Sequence, residues 1–134
     1  MLNRFLMSAL LGGAMALTGF AAPANADEVS KKDLNEKRLA QMAEQADDAE
    51  DFRQLSRLYE LRAEMLEQKA ERHDRLQQRY AAAPKSLLAK RGHGWNTPGR
   101  QEQLADAARD DAADARRLAG VHVARADSMA SDVD

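Results

Sequence analysis

Residues 105–129 read ADAARDDAADARRLAGVHVARADSM. Within them Ala105, Ala108, Ala112, Ala115, Ala119, His122, Ala126 and Met129 recur at steps that alternate between three and four residues. On a helix such steps place every member on one narrow stripe, the spacing of a coiled-coil seam. Six of the eight are alanine, so a partner helix can approach closely. Leu104 and Leu118 flank the stripe. Asp106, Arg109, Asp110, Asp114, Arg116, Arg117 and Arg125 fall mostly outside it. A helix patterned in this way exists to pack against another helix, and the chain is read outward from it as all-α.

The partner lies upstream. Leu55, Leu58, Tyr59, Met65, Leu66, His73, Leu76 and Tyr80 form the apolar face of a helix expected over 50–82, and Pro84 ends it. Glu60, Glu64, Glu67 and Glu71 alternate with Arg62, Lys69, Arg72 and Arg75, spacings that suit ion pairs along one helix. The last helix is expected over 98–129, with Thr97 as its cap, Pro98 at its first position and Gly120 inside it. A first, shorter helix is expected over 31–46. Ser30 would cap it, with Asp33 completing a short capping box, and Leu34, Leu39, Met42, Ala43 and Ala46 would form its inner face.

Between Leu39–Ala49 and Leu55–Tyr80 the apolar stripe swings to nearly the opposite side of the helix. Either a continuous helix carries a winding face, or the chain breaks near Asp47-Asp48. The break is favoured. Asp47 or Asp48 can cap the second helix, and Glu50 and Asp51 then fall in a first turn that welcomes negative charge. The architecture expected is an antiparallel helical hairpin completed to a small three-helix bundle.

The chain opens differently. Asn3-Arg4 precedes an uncharged apolar run from Phe5 to Ala22, and Ala24-Asn25-Ala26 offers a small-x-small cleavage site before Asp27-Glu28. Residues 1–26 are read as a signal peptide, with a retained membrane anchor as the alternative. The mature part, 27–134, is expected to be a single helical domain in the periplasm or outside the cell. The chain contains no cysteine. Disulfides, thiolate metal sites, a lipidated amino terminus and cysteine nucleophiles are therefore excluded.

Overall charge is nearly balanced, with 20 Lys and Arg against 22 Asp and Glu. The distribution is not. Arg75, Arg79, Lys85, Lys90, Arg91 and Arg100 occupy a window between Asp74 and Glu102 that holds no acid, while the rest of the mature chain is net acidic. Such a chain has one basic region on an acidic body.

Candidate chemistry is sparse. An antiparallel register sets His73 level with about Ala107 and His122 level with Leu58 or Tyr59. The two histidines would then be about 15 residues apart along the hairpin, on the order of 22 Å. They cannot share a metal within one chain, and neither H-x-x-x-H nor H-E-x-x-H spacing occurs. No haem attachment motif, phosphate loop, nucleophile elbow or EF-hand loop is present, and the serines have no neighbouring histidine in sequence. No cofactor, metal or catalytic residue is assigned, and the chain is read as no enzyme. Weak cation binding by the Asp47–Asp51 or Asp110, Asp111 and Asp114 clusters is a minor alternative.

The connection at 83–97 carries the strongest functional signal. Lys85, Lys90, Arg91 and the adjoining Arg100 surround Leu87, Leu88, His93 and Trp95, the sole tryptophan. Bases interleaved with an indole and leucines suit an anionic envelope surface or an acidic protein. The bland alternative is that Leu87, Leu88 and Trp95 plug the open end of the bundle. Nucleic acid is not an expected partner of an exported chain. The alanine seam could equally join two copies into a homodimer.

Two resemblances bear on these expectations. The join Tyr80-Ala81-Ala82-Ala83-Pro84-Lys85-Ser86, followed by Leu118-Ala119-x-x-His122-x-x-x-Ala126, resembles small uncharacterised exported proteins of Gram-negative bacteria. It covers most of the mature chain and implies no specific activity. Thr97-Pro98-Gly99-Arg100-Gln101 is similar to the Leu-Thr-x-x-Gln motif of periplasmic helical-hairpin stress chaperones. Here Asn96 stands where that motif has leucine, and the glutamine falls one residue late. This second likeness implies a chaperone or stress adaptor as the alternative to a binding protein.

Overall fold

A computed structural model describes residue 31 and residues 33–83 and 97–133 of the chain. The fold is all-α. Its helices are α1 (Glu36–Gln45), α2 (Ala49–Ala82) and α3 (Pro98–Ser131), with no strand among the described residues. No helix among them is long and apolar enough to cross a membrane. The expected signal peptide lies outside the described residues.

Helix ends are set by local side-chain chemistry. Asn35 caps α1 by accepting the Lys37 amide on Oδ1 at 2.9 Å. The helix therefore starts at Glu36 and not at residue 31. Ser30, the expected cap, lies outside the described residues. At the other end Ala46 is extended (φ −70°, ψ 125°), which stops α1 without glycine or proline.

The favoured break is present. Asp48 Oδ1 accepts the Asp51 amide at 2.8 Å, and Asp51 Oδ2 accepts the Asp47 amide at 3.1 Å. The two aspartates thus form a variant of the capping box, reached one residue further back than usual. This cap starts α2 at Ala49, one residue earlier than expected. Thr97 Oγ1 accepts the Arg100 amide at 3.2 Å and caps α3, with Pro98 at the first helical position.

The described residues form two compact units. One comprises the residues up to Tyr59 and those from Ala119 onward; the other is Glu60–Leu118. Within the first, Leu34, Leu39, Met42, Leu55, Leu58 and Tyr59 are buried together with Ala119 and Ala126. Ser56 on α2 donates its hydroxyl to the Ala119 carbonyl at 2.9 Å. A short side chain there allows direct contact with the α3 backbone. Phe52 and Tyr59 meet His122, and Phe52 meets Arg125, so α2 and α3 run antiparallel here. Burial of Leu39 and Met42 adds α1 as a third helix.

The second unit is packed differently. Ala63, Ala70, Ala105, Ala108, Ala112 and Ala115 are buried, and among its described residues Leu66 is the one large buried aliphatic side chain. Ala70, Ala105 and Ala108 form one cluster. Alanine faces alanine, the arrangement that lets two helix axes approach toward the short end of the usual range of about 8–10 Å. Glu67 meets Arg116 and Asp74 meets Arg109, which again sets α2 and α3 antiparallel. Glu67 therefore pairs across the helices rather than along α2 as its spacing suggested. Of the expected ion pairs along this helix, Arg75 and Glu71 stand 3.9 Å apart.

In both units the α3 stripe is turned inward. Its six alanines are each 3% exposed or less, while His122 and Met129 are half-buried. The charged residues placed outside the stripe are all exposed.

Candidate functional site

Of the residues in the basic connection, Lys85, Leu87, Leu88, Lys90, Arg91, His93 and Trp95 lie outside the described residues. Its borders are described. On α2, Arg75 and Arg79 are exposed and Tyr80 is half-buried; on α3, Arg100 is half-buried in the first turn after the Thr97 cap. The first turn of α3 is thus held by its own residues.

His73 faces α3 from the second unit. Its Nδ1 stands 2.7 Å from Gln101 Oε1, so Nδ1 carries a proton and donates to the amide oxygen. The expected register, His73 level with about Ala107, is close to that of the neighbouring Asp74–Arg109 pair, but the side chain meets a residue about a turn and a half nearer the start of α3. Two long polar side chains reach each other along the helices, which a level register does not anticipate. Gln101 is 5% exposed. It occupies the stripe position four residues before Ala105, so extending the three-four pattern backwards would have found it.

His122 makes the more distinctive arrangement, in the first unit. Its imidazole stacks with two α2 rings, 5.9 Å from Phe52 and 5.2 Å from Tyr59 between centroids, with interplanar angles of 20° and 21°. Phe52 and Tyr59 are seven residues apart, two helical turns, and so lie on the same face of α2. The Arg125 guanidinium lies 5.7 Å from the Phe52 centroid. Burial pushes the His122 imidazole below its ordinary pKa. Tyr59 was the expected neighbour; Phe52 and Arg125 were not read from the sequence. The signal was available, since Phe52 continues the Leu55–Tyr59 face and Arg125 stands about one turn beyond His122.

A third feature is an open hollow of about 240 Å³ lined by Glu67, Ala70, Glu71 and Arg109. Glu67 and Arg109 are committed to neighbours. Arg116 holds Glu67 with both terminal guanidinium nitrogens, Nη2 reaching Oε2 at 2.8 Å. Arg109 donates to Asp74 and, at 2.9 Å, to Asp106. The hydrogen bond from Arg116 holds the Glu67 carboxyl below the usual carboxylate range, and the one to Asp74 raises the Arg109 pKa. No group of His, Asp and Glu side chains that could hold a metal occurs among the described residues.

No protein-family model matches the chain, and no curated protein or solved structure matches it.

Proposed function

We propose that the chain is an exported, non-enzymatic helical protein that acts by binding, and that the segment 83–97 with Arg100 contacts anionic envelope material. One observation carries this reading: between Asp74 and Glu102 the chain holds six bases and no acid, around its sole tryptophan, while the rest of the mature chain is net negative. A basic segment with apolar side chains gains electrostatic attraction from anionic headgroups, on the order of 1 kcal/mol per base near the surface. Trp95, Leu87 and Leu88 add the apolar contact that an interfacial segment requires. The cap that Thr97 supplies to α3 supports the reading, because residues 84–96 are then not needed to start that helix.

Co-sedimentation with vesicles tests the proposal. The parent chain is expected to bind vesicles rich in phosphatidylglycerol and not vesicles of phosphatidylcholine alone. Combined Lys85→Gln, Lys90→Gln and Arg91→Gln substitutions should weaken binding several-fold, and added salt should do the same by screening. Equal binding by the triple variant and the parent removes the segment from the function.

A further inference from the structure

We infer that the Phe52–His122–Tyr59 stack is a pH-sensitive latch, whose protonation on the imidazole releases the carboxy-terminal turns of α3 from the first turns of α2. The geometry carries the inference. The imidazole lies near-parallel to two α2 rings, at 5.9 and 5.2 Å between centroids. An imidazolium formed in this half-buried place loses part of its hydration. The two ring faces return part of that loss, because an aromatic face attracts a cation. Phe52 is already engaged by the Arg125 guanidinium at 5.7 Å, about one turn along α3 from His122. A second cation on the same ring meets the first, so the compensation is incomplete.

The surrounding charges do not reverse this. On α2 the charged residues next to the two rings in sequence are Asp51, Arg53 and Glu60; Arg53 stands 3.8 Å from Glu50, and Glu60 is exposed. Asp48 and Asp51 are occupied at the start of α2 with the capping bonds. From α3 the stack receives Arg125. The charged residues of α1 are Glu36, Lys37, Arg38 and Glu44, of which Arg38 alone is half-buried. Burial is the single cause of the downward shift at His122, with no carboxylate opposing it. A folded-state pKa below the unfolded one means that the folded form binds fewer protons. The stabilising contribution is complete above the unfolded value of about 6.5 and is lost as pH falls through the folded value. Within that window each pH unit lowers the closing equilibrium by up to about tenfold.

What the latch holds is defined by its neighbours. Ser56 and Ala119 bond about one turn away, Ala119 and Ala126 are buried, and Val121 and Val123 on the outer face are exposed. Releasing His122 therefore frees a helix segment anchored by alanines, which alone bury little apolar area. The other described histidine, His73, belongs to the other unit and bonds Gln101.

The test combines two measurements on the folded chain between about pH 7.5 and 5, the range that spans an ordinary histidine titration. NMR titration of the ring protons should give His122 a pKa below about 6.5. Amide hydrogen exchange, corrected for its intrinsic pH dependence, should show residues 119–131 losing protection on acidification. His122→Phe retains a three-ring stack without a titrating group and should abolish that pH response. A His122 pKa at or above the ordinary value overturns the latch, and so does an equal loss of protection in the phenylalanine variant. If that variant does not fold, the titration of the parent decides the matter by itself.

Discussion

At the scale of single residues, the junction at Asp47-Asp48 shows how little is needed to divide a helical sequence. Neither glycine nor proline occurs between Arg38 and Arg53. Two carboxylates end one helix and begin the next, because an aspartate oxygen satisfies an amide that the first turn of α2 leaves without a helical acceptor. Asp48→Ala should lower stability by about 1 kcal/mol, and Asp48→Asn, which keeps an acceptor, should be nearly neutral. Urea denaturation followed by circular dichroism distinguishes them. Gln101 shows the opposite limit of residue-level reading. Glutamine is ordinarily a surface residue, yet Gln101 continues the three-four pattern and lies inside, where His73 donates to its side-chain oxygen.

At the scale of elements, α3 is a helix whose inner stripe is almost all alanine. Its fit depends on smallness, so added volume has opposite effects at different positions. Ala112 is 2% exposed. Ala112→Leu should cost about 1–3 kcal/mol, because the added methylenes must displace α2. Gly120 is exposed, and a methyl group added to it meets no atom within 4 Å. Gly120→Ala should therefore stabilise by about 0.5–1 kcal/mol, by removing the freedom of a helical glycine in the unfolded chain. Thermal denaturation of the two variants should move in opposite directions from the parent. The counterpart stripe on α2 was only partly legible. Leu55, Leu58, Tyr59 and Leu66 stood out by size, whereas Ala63 and Ala70 are equally buried and were not distinguished from surface alanines. Alanine is compatible with either environment, so only the partner helix decides which one it occupies.

At the scale of the whole molecule, the two units differ in what holds them. Among the described residues, the first buries four leucines, a methionine and a tyrosine, and the second buries Leu66 and alanines, with Arg116–Glu67 and Arg109–Asp74 pairs at the surface. A fully buried leucine contributes roughly 1.5–3 kcal/mol, and alanine much less. At neutral pH, hydrogen exchange should accordingly show greater protection for residues 55–59 of α2 than for residues 66–73. Equal protection would mean that close alanine packing compensates fully for the smaller area. The surface pairs are screened by salt, so raising ionic strength should speed exchange in the second unit more than in the first. The seam alanines are already covered within the chain. A homodimer through that seam would need helices to exchange between copies, which sedimentation equilibrium would detect as a second species.

The sequence by itself determined the all-α class, the two long helices, the Thr97-Pro98 start and the face that α3 turns inward. Each of these is written in short-range spacing or in a residue whose backbone preference is strong. The tertiary structure alone decided which alanines of α2 lie inside, that Glu67 reaches Arg116 rather than a neighbour on its own helix, and that Phe52 and Tyr59 both stack with His122. These depend on the register and separation of two helices, quantities set by the summed fit of many small side chains. No single residue carries enough energy to announce them.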